Sequence, residues 1–96
     1  MFFVFLKFSD NKAAAPEFMQ GHNEWLQKGF ADGVFLLSGT LEPKQGGGIV
    51  AHNTSLQELQ SRLEADPFVA HGVVRSEIVE LSASKADKRL EFVLAR

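Results

Sequence analysis

Two segments of this chain, Phe2-Phe3-Val4-Phe5-Leu6 and Val34-Phe35-Leu36-Leu37, are apolar at every position, and no other feature narrows the available folds as far. Side chains of a strand alternate between the two faces of a sheet, so such strands are apolar on both. Each large side chain left in water would forgo roughly 1.5–3 kcal/mol of burial. Both faces of the sheet therefore need covering.

The remainder of the chain supplies cover for one face. A helix is expected over Pro16 to Phe30, because Phe18, His22, Trp25, Leu26, Gly29 and Phe30 recur at spacings of three and four, with Pro16 in its first turn and Gly33 beyond its end. Val34 to Leu41 is read as the second strand, closed by Glu42-Pro43 and by Gln45-Gly46-Gly47-Gly48, which reads as a mobile turn, and Ile49 to His52 as the return strand of a hairpin. Thr54 and Ser55 offer two overlapping capping boxes, with Gln57 and Glu58, ahead of a second helix whose stripe is Leu56, Leu59 and Leu63. Asp66-Pro67 ends that helix, Val73 to Leu81 gives a fourth strand, Ser82 to Asp87 a polar turn, and Leu90 to Leu94 a fifth strand.

The order β-α-β-β-α-β plus one C-terminal strand is that of an α+β, ferredoxin-like split β-α-β fold, with both helices on one face. The second face is expected to pack against its counterpart in another copy, giving a homodimer with facing sheets, a dimeric α/β barrel-type assembly. The other reading is that the fifth strand and the loops cover it within one chain. At 96 residues the chain is read as a single domain, 1–96.

Composition removes several function classes. A formal charge of −2 with mixed signs, and no basic cluster beyond Lys88-Arg89, argues against nucleic-acid binding and a polybasic membrane patch. With no cysteine there is no disulfide, thiolate nucleophile or thiolate metal site. His22, His52 and His71 lack the HxxxH or HExxH spacing of a zinc helix, so no metal is expected, and no reductant, dinucleotide or flavin motif suggests a cofactor. Met1 to Lys7 lacks the basic and small-residue flanks of a secretory signal, and no run approaches the roughly 20 apolar residues of a membrane span. A soluble cytoplasmic protein is the expectation.

His22 is a titratable group on an inward-facing stripe, and polar groups there need partners. Asp66 stands at the C-terminal end of the second helix, where the helix dipole disfavours a carboxylate by a few tenths to 1 kcal/mol. Either residue alone has a structural explanation, the carboxylate by bonding backbone amides of Asp66-Pro67-Phe68. Together, on two helices lying side by side, they suggest a dyad in which Asp66 orients the imidazole and stabilises its protonated form while the other ring nitrogen moves a proton on a substrate. Ser38 is a candidate hydrogen-bonding residue of the pocket, since the chain has no GxSxG elbow to activate it, and Trp25, Phe68 and other phenylalanines are candidate apolar walls that core packing explains as well. Gly46-Gly47-Gly48 lacks the trailing GK[ST] of a phosphate loop. Arg75 and Glu77 are candidates for a same-face ion pair, with Arg75 alternatively an anion anchor, and His52 and His71 are read as surface or loop residues.

The segments His22-Asn23-Glu24-Trp25-Leu26, Gly29 to Gly33, Leu37-Ser38-Gly39-Thr40-Leu41, the glycine-rich hairpin, and Ala65-Asp66-Pro67-Phe68 followed by Gly72-Val73 together resemble the YciI-like (YCII-related) family of small bacterial proteins. The resemblance runs from Phe2 to about Leu81. It implies a ferredoxin-like α+β dimer with a pocket in each subunit and a His-Asp active site falling on His22 and Asp66. A relative in chlorinated-aromatic breakdown is a dehydrochlorinase using such a dyad. The chain departs from the pattern at Thr40, where members often carry proline, and in the tail after Leu81.

The expected function is thus a cofactor-independent enzyme, a lyase or isomerase, in which His22 and Asp66 perform acid/base proton transfer on a small cyclic or enolic metabolite. The alternative is a non-catalytic small-ligand-binding or regulatory homodimer using the same pocket.

Overall fold

The computed structural model describes residues 1–95. Its sheet is built from β1 (Phe2–Phe8), β2 (Phe35–Leu41), β3 (Gly46–Ala51) and β4 (Val74–Glu80), in the order β2-β3-β1-β4 and antiparallel throughout. The helices are α1 (Ala15–Ala31), α2 (Leu56–Glu64) and the single turn α3 (Pro67–Ala70). This is a small α+β fold compatible with the ferredoxin-like arrangement. Among the described residues no helix is long and apolar enough to cross a membrane.

Alternation in β1 decides which face is the core. Phe2, Val4 and Leu6 are buried and join Val34, Phe35, Ile49, Ala51, Leu59, Leu63, Phe68, Val73 and Val74 in one cluster, against which Phe18, Trp25 and Leu26 of α1 pack. All three helices thus contribute to the layer on one face. Gly29 lets α1 settle, because a Cβ there would lie 2.2 Å from the Phe35 ring. Of the two capping boxes, the one formed is Ser55 with Glu58, whose side chains each accept from the other's backbone N–H. Leu59 and Leu63 are buried, and Leu56 stands half in solvent at 42 % exposure. The Trp25 indole donates to the Arg62 carbonyl at 2.9 Å, satisfying a C-terminal acceptor of α2. Arg62 also bridges to Asp32 at 3.1 Å, and this hydrogen bond, reinforced by Lys28, holds the Asp32 carboxyl below the usual carboxylate range.

The opposite face carries a row of apolar residues in register across all four strands, Leu37, Val50, Phe3 and Val79, with Leu37 and Val79 more than half exposed. Beyond them come Gly39, Gly48, Phe5 and Glu77, so the face turns polar toward one end. Glu77 pairs with Lys7 at 3.5 Å; the expected Arg75–Glu77 pair is not formed.

Two further expectations are corrected. Leu90 to Leu94 is not a fifth strand: Lys88–Val93 forms a 3₁₀ helix, started by the Asp87 carboxylate accepting from the Arg89 N–H, and only an isolated bridge joins Leu94 to Ala83. This segment covers one end of the open face, where Leu90, Phe92 and Val93 border a cavity of about 770 Å³ with Phe3, Leu37 and Val50. Gly46-Gly47-Gly48 is not a turn either. It is paired β3 backbone opposite Gly39, Thr40 and Leu41, and the turn is made by residues 42–45.

Candidate active site

The site begins with a close approach of two helices. Gly21 on α1 has no side chain, and a Cβ there would come within 3.1 Å of the Pro67 ring, so α3 lies close beside α1 at this point. His22 is the next residue on α1 and Asp66 is the N-cap of α3, immediately before Pro67. The His22 Nδ1 and Asp66 Oδ1 are 2.8 Å apart. The same Oδ1 accepts from the Phe68 backbone N–H at 3.0 Å. Asp66 thus stands where a carboxylate is favoured, at a helix start, and its apparent misplacement at the end of α2 disappears.

Burial sharpens the arrangement. The Asp66 side chain is fully buried and that of His22 is 13 % exposed. A carboxylate in such surroundings is held by its donors, since an uncompensated charge would be costly. Its Oδ2 is buried with no partner among the described residues, so the two hydrogen bonds to Oδ1 carry the group. The imidazole is also fixed in plane: the Phe68 ring stacks on it at 4.0 Å with 7° between planes. With Nδ1 committed to Asp66, Nε2 is the nitrogen left for chemistry, and it has no protein partner among the described residues.

His22 borders two small cavities on the helix side of the sheet. One, of about 240 Å³, is lined by Leu6, Phe8, Met19, Asn23, Thr40, Gly47, Phe68 and others; the second, of about 190 Å³, by Leu6, Leu26, Ser38, Gly39, Gly48 and Ile49. Gly47 belongs to both and forms a floor without side chains. Of the sequence-derived candidates, His22, Asp66, Phe68 and Ser38 are brought to this place. Trp25 is not: it stacks obliquely near His22 at 5.8 Å, but its N–H serves Arg62 and it lines a separate groove with Lys28 and Arg62. Phe8, Met19 and Asn23 were not anticipated: Phe8 reads as a strand residue, and Met19 and Asn23 are exposed positions outside the apolar stripe of α1. Among the described residues no group of three His, Asp or Glu side chains is disposed to hold a metal.

Residues 1–82 match the family model described as the YCII-related domain. The chain belongs to that family. The tail of this YCII-related protein, beyond residue 82, lies outside the match, and so does its 3₁₀ helix. Among solved structures, 5-chloro-2-hydroxyhydroquinone dehydrochlorinase from Burkholderia phenoliruptrix AC1100, in complex with 2,5-dihydroxybenzoquinone, is similar with a TM-score of 0.68 at 16 % identity, over 93 % of this chain and 98 % of that one. At that identity the likeness is one of fold. A comparison with curated protein sequences finds no match.

Proposed function

We propose that this YCII-related protein catalyses cofactor-independent proton transfer on a small cyclic or enolic metabolite, with His22 as general acid/base and Asp66 as its orienting carboxylate. The observation that carries this is the 2.8 Å contact between a fully buried carboxylate and Nδ1 of an imidazole that borders a cavity. Nδ1–H donates to Asp66, so Nε2 is a base in the neutral ring. In an elimination, Nε2 takes a proton from substrate carbon or hydroxyl, the electron pair moves into the ring system, and the leaving group departs with its bonding pair; in an isomerisation the proton is returned at another position. Either way the imidazolium formed is stabilised by Asp66. The fold shared with a dehydrochlorinase that binds a dihydroxybenzoquinone supports an elimination on a hydroxylated ring.

The proposal includes a homodimer through the open sheet face. Leu37 and Val79 support it, since both stay more than half exposed on that face even with the C-terminal segment beside Phe3, Leu37 and Val50.

The test is deuterium exchange into the ring C–H of 2,5-dihydroxybenzoquinone in D₂O, and chloride release from 5-chloro-2-hydroxyhydroquinone. Positioned acid/base groups contribute about 10²–10⁴-fold, so His22→Asn should lose that much of the wild-type rate with its fold retained. An unchanged rate in His22→Asn overturns the assignment. Saturable binding by the wild type with neither exchange nor chloride release would leave a ligand-binding protein instead.

A further inference from the structure

We infer that the pocket takes an anionic substrate, whose charge is received by Lys12 and Lys44 at its outer end while the reacting ring lies against His22 and Phe68. This rests on the acid/base reading of His22 and names the class of molecule on which it would act.

A further cavity of about 510 Å³ is lined by Phe8, Lys12, Thr40, Glu42, Lys44 and Gly46, and it shares Phe8, Thr40 and Gly46 with the cavity that His22 borders. The two cavities thus adjoin across a common wall, with the imidazole bordering one and two lysines lining the other. Neither lysine forms an ion pair with a carboxylate within 4 Å among the described residues. Lys12 is placed rather than free: its Nζ lies 4.6 Å from the centroid of the Phe8 ring, and that ring is the shared wall. The one acid of the outer cavity, Glu42, turns an oxygen to the Lys44 backbone N–H at 3.4 Å, so the lining carries two positive charges against one negative.

Thr40 supplies a hydroxyl in the lining of both cavities. The arrangement is apolar and aromatic at the base, hydroxylated in the middle and cationic at the mouth. Carboxylates, phenolates and enolates of six-membered rings fit that gradient; neutral rings leave the mouth unused. A cation near the substrate also favours the enolate that develops when Nε2 removes a proton.

The experiment compares 2,5-dihydroxybenzoquinone, a vinylogous acid ionised at neutral pH, with its neutral dimethyl ether, by calorimetric titration at low and high salt. The wild type should bind the anion about tenfold more tightly at low salt, with the gap closing at high salt. Lys12→Met combined with Lys44→Met should close the gap at low salt by weakening the anion alone, roughly the effect of two exposed ion pairs. Equal affinity for the two probes, no binding of the anion, or a preference that survives the double substitution overturns the inference. The two proposals fail separately. If the lysines govern affinity while His22→Asn still exchanges deuterium, the cationic mouth stands and the acid/base assignment falls; exchange that depends on His22 with affinity indifferent to the lysines gives the reverse.

Discussion

Replacing Asp66 tests whether the dyad is an arrangement of consequence or a helix cap with a histidine beside it. In Asp66→Ala two donors lose their acceptor. The Phe68 N–H is buried, and a buried donor without a partner costs about 1–3 kcal/mol. The His22 side chain keeps 13 % exposure, so water recovers part of its bond. Against these losses stands relief from burying a carboxylate whose Oδ2 has no partner. The losses should win, because the charge is already held by two short hydrogen bonds, and the net cost is about 2–4 kcal/mol. In a chain of this size that lowers Tm by roughly 10–25 °C. Asp66→Asn keeps an oxygen for both donors and removes the charge but sets an amide NH₂ at the buried, partnerless Oδ2 position, so it should cost about 1–3 kcal/mol. Its exchange rate should also fall about tenfold, the difference between a charged and a neutral acceptor for the imidazolium. Denaturant unfolding at fixed protein concentration gives the stabilities. Nitrogen chemical shifts of the His22 ring give the tautomer, with the proton on Nδ1 in the wild type and in Asp66→Asn but not held there in Asp66→Ala. A loss under about 1 kcal/mol in Asp66→Ala, with the ring shifts unchanged, would refute the reasoning.

The empty floor and the open face give the remaining predictions. Gly47→Val should abolish binding of 2,5-dihydroxybenzoquinone without destabilising the fold, because a Cβ there meets only the Gly39 carbonyl oxygen at 3.5 Å; calorimetry and a melting curve check both halves, and undiminished binding would show that the cavity is not the ligand site. Leu37→Glu and Val79→Glu put charge into the open row without touching the helix-side core, and each should shift a sedimenting dimer to a folded monomer; a wild-type monomer at micromolar concentration would remove the facing-sheet dimer.

Long patterns were legible in the sequence and short ones were not. β1 and α1 could be read because their side chains repeat over many positions, and the sequence pairing of His22 with Asp66 agrees with the contact in the structure. The role of Asp66 at a helix start was hidden, since α3 has only four residues and cannot show a period of 3.6. The tail misled for a related reason. Leu90, Phe92 and Leu94 alternate as a strand would, yet the Asp87 side chain gives the backbone a local partner that starts a 3₁₀ turn. Three consecutive glycines suggested a turn, but Pro43 and Lys44 make it, and a ladder needs only backbone groups.

That glycine stretch is also what opens the site. On the helix side of the sheet, one cross-strand row runs Ser38, Ile49, Val4 and Ile78, and its centre is filled and buried. The next row runs Thr40, Gly47, Leu6 and Ser76, so below His22 the sheet presents backbone where its neighbour presents isoleucine. A side chain at position 47 would have space and an ordinary backbone conformation, and burying a valine there would contribute about 1.5–3 kcal/mol. Packing alone would favour filling it. The void instead coincides with the one imidazole whose Nδ1 is engaged by a buried carboxylate, and across Phe8 and Thr40 it adjoins the cavity lined by Lys12 and Lys44. Lost burial at Gly47 and a carboxylate buried with one oxygen unpartnered are each costs to stability, and both fall beside His22.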